Sequence, residues 1–220
     1  LKEASNSLNN RNLKSKVINS ITFEKEGSQV DLTSFLEEIS KKEFSTNPEP
    51  YYSGLGYRVY GGHLNNWWSN INNGVSDLTD VFSKSLSTEE RLTAANPAEN
   101  IKLTKDSPRH PINLLQKFES IEAQFSNYFK QAFGLDLIVH RNAGTEVPLY
   151  VGKNPEIKKG EDRLSESYQT ELEKLDLLHE QGDGMRSFVG VLLNTFVSYR
   201  SLIFIDEPEA FLHPPQARLL

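Results

Sequence analysis

Two adjacent carboxylates, Asp206 and Glu207, directly follow an apolar run at residues 202–205. Helices are predicted on both sides of this run. Such a run is typical of a buried parallel strand, and open α/β sheets place their ligands at the carboxyl ends of these strands. There Asp206 could hold Mg²⁺ beside nucleotide phosphates, and Glu207 could orient and deprotonate an attacking water. The alternative is purely structural: a strand that ends in solvated acids before the turn at Pro208.

A second candidate is the glycine-containing turn at Gly182, Asp183 and Gly184, which precedes a helix predicted over residues 185–199. Glycine lets a backbone approach a phosphate closely, and a helix N-terminus presents N–H groups and the positive end of its dipole. The carboxylate of Asp183 would repel a phosphate unless it turns away. A simple turn between two helices is the alternative interpretation of this segment.

These two segments together resemble ABC-class ATPases of the SMC, RecF and OLD (overcoming lysogenisation defect) group. Residues 202–207 match the Walker B pattern, and residues 207–216 are similar to the segment that follows it in this group. The glycine turn lies where these ATPases carry their signature motif, usually Leu-Ser-Gly-Gly-Gln. The chain departs from that motif, because Gly182 stands opposite the serine that normally contacts the γ-phosphate and Asp183 replaces a glycine. Ser187 could supply the hydroxyl instead.

The resemblance implies a role for each candidate residue. Asp206 would serve Mg²⁺ and Glu207 would activate water, with ATP as the substrate. The signature residues would contact ATP held by a second head; they are Gly182, Asp183, Gly184 and Ser187. The loop that follows Walker B, with Glu209 and His213, would lie at the head–head interface. The expected partners are a second copy, as a homodimer or higher oligomer of heads, together with DNA or a nuclease effector in DNA processing or phage defence.

The resemblance also implies a fold: an α/β P-loop NTPase (ABC-ATPase head) with a mixed sheet, a β-hairpin and flanking helices. No Gly-x-x-x-x-Gly-Lys-Ser/Thr loop occurs in the 220 residues. We therefore expect residues 1–220 to be an incomplete ABC-class ATPase domain, running from just after Walker A to just after Walker B and inactive alone. Within it, residues 44–110 are expected to be a loop-rich polar insertion and residues 111–220 the signature-helix and Walker B part.

The spacing of apolar residues predicts the elements that position the two candidate segments. Helices are predicted at residues 1–10, at 32–42 with Asp31 as the N-cap, at 111–133 as one long helix, and from Ser165 onward. Strands are predicted at residues 17–23, 57–60, 78–86, 135–141 and 147–152, the last two forming a hairpin. Residues 87–110 are predicted to be a polar connection.

Composition excludes several classes of protein. The 24 Lys and Arg residues against 30 Asp and Glu residues give a formal net charge of -6, which argues against a strongly basic nucleic-acid coat. No run of eighteen apolar residues occurs, so no membrane span is predicted. The absence of cysteine removes disulfides, thiolate metal sites and cysteine nucleophiles, and it fits a reducing, cytoplasmic setting.

Two other functions use some of the same residues. Asp206, Glu207, Glu209 and His213 could form the metal site of a nuclease or phosphatase, although such sites usually gather carboxylates from several segments and no second acidic cluster is predicted at a strand end. A scaffold that keeps the ATPase fold without turnover is the other alternative. A phosphate-binding loop before Leu1 would favour the ATPase, and its degeneration would favour the scaffold.

Overall fold

The computed structural model describes Glu24 and residues 26–219, so the helix predicted at 1–10 and the strand predicted at 17–23 lie outside the described residues. The chain divides into two compact units. Of the described residues, unit 1 contains those up to Ser85 together with Lys105–Arg109 and Tyr199–Ile205. Unit 2 contains Leu86–Thr104, His110–Ser198 and the described residues from Asp206 onward.

The described residues form a mixed α/β structure with several small sheets. The helices are α1 (Gln29–Ile39), α2 (Leu64–Asn70), α3 (Thr79–Phe82), α4 (Thr88–Thr93), α5 (Pro111–Lys117), α6 (Glu119–Phe133), α7 (Glu166–Leu172), α8 (Asp183–Thr195) and α9 (Pro214–Ala217). The strands are β1 (Lys41–Glu43), β2 (Tyr51–Gly54), β3 (Tyr57–Tyr60), β4 (Ser83–Leu86), β5 (Ala98–Glu99), β6 (Asp136–Val139), β7 (Glu146–Val147), β8 (Leu149–Gly152), β9 (Asp176–Leu177) and β10 (Leu202–Ile205). None of the helices in this part of the chain is both long enough and apolar enough to cross a membrane.

Unit 1 contains an antiparallel sheet of order β1-β2-β3, which packs its buried face against α1. Tyr52 of β2 pairs with Val59 of β3, and both side chains are buried. The strand predicted at residues 57–60 is therefore confirmed. The helix predicted at 32–42 begins earlier and ends at Ile39, because Ser28 is the N-cap and Asp31 is the third helical residue of a capping box.

The apolar run that precedes the two carboxylates forms β10, which pairs in parallel with β4. The predicted strand at residues 202–205 is confirmed. It is not fully buried, since its side chains are partly exposed and Leu202 is 40% exposed. The strand predicted at 78–86 is correct only for β4, because residues 79–82 form α3, with Leu78 and Val81 buried.

Unit 2 contains the antiparallel sheet β6-β8-β9 and the small sheet β5-β7, with α6 packed on β6. The pairing of β6 with β8 confirms the predicted hairpin. The helix predicted at 111–133 is two helices, because Phe118 has an extended backbone (φ -120°, ψ 107°) and ends α5 where α6 begins. The predicted connection at 87–110 contains α4 and β5. Ser165 is the N-cap of α7, as predicted.

A buried ion cluster ties α6 to the sheet of unit 2. The carboxylate of Glu122 on α6 is nearly inaccessible and accepts hydrogen bonds from the Val139 N–H at 2.8 Å and from both terminal nitrogens of Arg163 at 2.8 Å. It is also paired with Arg141. The hydrogen bonds from Arg163 to Glu122 raise the pKa of the Arg163 guanidinium above its usual range.

We expect Glu122→Gln to destabilise the protein by about 3–5 kcal/mol, because it leaves two partly buried guanidinium groups without their shared carboxylate. Urea unfolding of the variant and the wild type measures the loss. Glu119→Gln is the control, since the side chain of Glu119 is 75% exposed and lies 4.0 Å from Arg141. It is expected to cost less than about 1 kcal/mol. Equal losses in the two variants would contradict the structural role of Glu122.

Candidate functional site

The acidic loop, defined here as residues 206–213, leaves the end of β10 and belongs to unit 2. The Asp206 N–H donates to the carbonyl of Leu86, the last residue of β4, at 3.0 Å. The two candidate carboxylates therefore follow the carboxyl end of a parallel strand pair, as predicted. The side chains of Asp206, Glu207 and Glu209 are all exposed, so a ligand can reach them from solvent.

The backbone of Glu207 is in the left-handed region, with φ at 45°. A residue other than glycine rarely adopts this conformation, which costs of order 1–3 kcal/mol and requires support from its surroundings. The support is visible at the Glu207 carbonyl, which accepts the Ala210 N–H at 2.8 Å and the Nη1 of Arg91 at 2.9 Å. The turn formed by residues 207–210 is thus held from inside the loop and from α4.

Arg91 on α4 is a residue of the site that the sequence analysis missed. Its side chain is completely buried. Besides its bond to the Glu207 carbonyl, it donates through Nη2 to the Thr88 hydroxyl at 3.4 Å. Burial lowers the pKa of Arg91, and the negative charges of the three acidic-loop carboxylates oppose this change. A sequence signal was present, because Ser87 and Glu90 form the capping box that starts α4.

The glycine turn, defined here as residues 182–187, opens α8. The helix begins at Asp183 with Gly182 as its N-cap, two residues before the predicted start. Gly182 and Asp183 are exposed, and a Cβ added at Gly182 would meet no atom within 4 Å. The carboxylate of Asp183 lies 3.3 Å from Arg186 Nη1, so it is directed along its own helix and is partly neutralised there. Such a pairing reduces the repulsion that an acid would exert on a phosphate.

The glycine turn packs directly against the acidic loop. A Cβ at Gly184 would lie 2.9 Å from the Phe211 carbonyl oxygen, so only glycine allows the backbones to approach this closely. The hydroxyl of Ser187 is completely buried and donates to the Ala210 carbonyl at 3.4 Å. Of the four predicted signature residues, Gly182 and Asp183 are exposed, whereas Gly184 packs against the acidic loop and the buried Ser187 donates a hydrogen bond to it.

Helix α4 lies against α8 and supports both segments. A Cβ at Gly190 of α8 would lie 2.0 Å from the Arg91 carbonyl oxygen, so only glycine allows the two helices to approach this closely here. Arg186, which pairs with Asp183, also donates to the Leu92 carbonyl at 3.3 Å. The glycine turn, α4 and the acidic loop therefore form one connected structure within unit 2.

The remaining predicted residues, Glu209 and His213, are exposed in the acidic loop. The Glu209 carbonyl accepts the Leu212 N–H at 3.0 Å, and His213 precedes the first residue of α9, Pro214. Over residues 26–219, no group of three or more His, Asp or Glu side chains is arranged so that it could hold a metal ion. The predicted interface role of both residues remains a prediction.

Comparison with models of protein families, with characterised proteins and with solved structures finds no match for this chain. Unit 2 itself joins two exposed carboxylates that follow a strand end, a helix N-terminus and a buried arginine.

Proposed function

We propose that this chain is part of an ABC-class ATPase head of the SMC, RecF and OLD type, an α/β P-loop NTPase. The protein that contains it binds and hydrolyses Mg-ATP. The observation that supports this best is the packing of the glycine turn against the acidic loop, through Gly184 with Phe211 and Ser187 with Ala210. These are the two segments that the sequence matches to the signature motif and to Walker B.

The strand-end carboxylates suit the chemistry of ATP hydrolysis. Asp206 offers a hard oxygen ligand of the kind that Mg²⁺ prefers, and its exposure leaves room for the water ligands that Mg²⁺ retains. Mg²⁺, when bound, neutralises the charge that develops on the phosphates. Glu207 orients the attacking water and takes its proton, since its carboxylate leaves a loop whose backbone is fixed on two sides.

The glycine turn acts on a nucleotide held by a second copy of the head. Its first residues are exposed at the N-terminus of α8, a helix of 13 residues, so their N–H groups and the helix dipole favour a phosphate. ATP binding closes a dimer of heads, and hydrolysis opens it. This cycle would power or gate DNA processing or phage defence, with DNA or a nuclease effector as the partner.

In the full-length protein we expect Asp206→Asn to weaken ATP binding in the presence of Mg²⁺ by about tenfold or more, equivalent to about 1.4 kcal/mol. The amide keeps the shape of the side chain but loses the charge that attracts the metal. ATP titrations with Mg²⁺ and with a chelator measure the difference, which should shrink in the variant. Asp176→Asn, at an exposed position of β9, is the control and should behave as the wild type.

Two results would count against these assignments in different ways. If Asp206→Asn binds Mg-ATP as tightly as the wild type, Asp206 does not serve the metal. If the wild-type protein binds no ATP and releases no phosphate from it, the ATPase proposal itself is wrong.

A further inference from the structure

Two residues with a left-handed backbone, the buried Leu55 in unit 1 and the exposed Glu207 in unit 2, each have a carbonyl that accepts a hydrogen bond from an arginine. Leu55 has φ at 42°, and its carbonyl accepts Arg200 Nη2 at 2.7 Å. Glu207 has φ at 45°, and its carbonyl accepts Arg91 Nη1 at 2.9 Å. The same device thus stabilises a left-handed residue in each unit. In unit 2 that residue is the proposed general base.

Arg91 is rigidly placed to perform this task. It is completely buried, and its carbonyl oxygen packs against Gly190 so closely that no side chain fits there. The residue after it, Leu92, accepts a hydrogen bond from Arg186 at 3.3 Å. Because the carbonyls of Arg91 and Leu92 are both held against α8, the guanidinium has little freedom to follow a moving loop.

We propose that Arg91 is a positioning residue that holds the Glu207 backbone in its left-handed conformation and thereby fixes the direction of the Glu207 carboxylate. The catalytic consequence rests on the ATPase function proposed above. Arginine suits the task, because its guanidinium remains charged when buried and presents several donors in a rigid plane. The neighbouring carboxylates of Asp206, Glu207 and Glu209 favour that charge.

The first test measures the opening of the acidic loop by hydrogen exchange and does not depend on ATPase activity. Arg91→Met keeps a long side chain but removes the guanidinium donor. The Glu207 carbonyl then has only the Ala210 N–H of its two donors, so the turn at residues 207–210 opens more easily. Hydrogen exchange of the Ala210 amide should accelerate by about tenfold in the full-length protein. Arg200→Met, which removes the matching contact at Leu55, is the control and should leave exchange at Ala210 unchanged.

Arg91→Lys is a milder second variant for the case in which Arg91→Met does not fold, because lysine keeps the buried charge and one donor group. It should show an exchange rate at Ala210 between those of the wild type and Arg91→Met. Exchange at the wild-type rate in both Arg91 variants would overturn the inference, whether or not the protein hydrolyses ATP.

The second test asks whether Arg91 acts through Glu207. Arg91→Met should lower kcat for ATP by about tenfold or more and change KM by less than about twofold, since Arg91 is completely buried and bonds the backbone of the acidic loop. Combined with Glu207→Gln, it should cause no further loss of kcat. A further loss equal to that in the wild-type background would overturn the positioning role. If the wild type shows no turnover, the ATPase proposal fails while the exchange result still decides the role of Arg91.

Discussion

Full-length protein carrying Glu207→Gln is expected to bind Mg-ATP as tightly as the wild type and to release phosphate about a thousandfold more slowly, within the range that general-base catalysis contributes. The amide keeps the size and shape of the side chain but cannot accept a proton from water. The closed dimer of heads should therefore accumulate with ATP bound. Phosphate release, ATP titration and the mass of the protein with and without ATP measure these three effects.

Glu209→Gln is the matched control for this experiment, because Glu209 is exposed in the same loop two residues further on. Its own carbonyl accepts the Leu212 N–H and not Arg91, and its carboxylate is not the proposed base, so turnover should stay close to that of the wild type. If Glu207→Gln hydrolyses ATP normally and Glu209→Gln does not, the general base is Glu209. If neither change affects turnover, the acidic loop does not supply the base.

Local signals in the sequence predict the parts of the fold that depend on neighbours along the chain. The strand at residues 202–205 and the Ser165 cap are confirmed, because a short apolar run before a proline turn and a serine before an apolar periodicity are complete signals in themselves. The hairpin of β6 and β8 is confirmed for the same reason, since a glycine-containing turn separates two short apolar segments.

The errors lie where a local signal has two meanings. The apolar spacing continues without a change across Phe118, so periodicity gives no sign that the backbone becomes extended there and divides the helix. The strand predicted at residues 78–86 includes residues 79–82, which form a helical turn that buries Leu78 and Val81, three residues apart. Asp31 looks like an N-cap, yet Ser28 has the cap geometry and Asp31 completes the box.

In the candidate site, too, the sequence predicts the features that depend on neighbouring residues and misses the long-range contacts. The position of Asp206 and Glu207 at a strand end follows from the sequence, because the strand and the acids are contiguous. The capping box of Ser87 and Glu90 indicates the helix that carries Arg91, but the sequence does not indicate its contact, since 116 residues separate Arg91 from the Glu207 carbonyl. The requirement for glycine at position 184 is also a long-range property, because the atom that excludes a side chain belongs to Phe211.

The exposed glycine at position 182 allows the role of the turn in the dimer to be tested without disturbing the monomer. Gly182→Glu should leave the thermal stability and the ATP affinity of a single head nearly unchanged, because a side chain there meets no atom of its own chain within 4 Å. It should abolish ATP-induced dimerisation and turnover, since a second carboxylate beside Asp183 would face the γ-phosphate held by the other head. Melting temperature, ATP affinity and ATP-dependent mass separate these effects.

Gly182→Ser is the control, because serine is a good N-cap and is the residue that the resembling ATPases carry at this place. It should dimerise and hydrolyse ATP at least as well as the wild type. Gly184→Arg provides the contrast: it should lower the melting temperature even without ATP, since its Cβ alone would lie 2.9 Å from the Phe211 carbonyl oxygen. A stable Gly182→Glu protein that dimerises and hydrolyses ATP normally would remove the signature assignment. If Gly182→Glu instead lowers both the melting temperature and the ATP affinity of a single head, the segment is a simple turn between two helices.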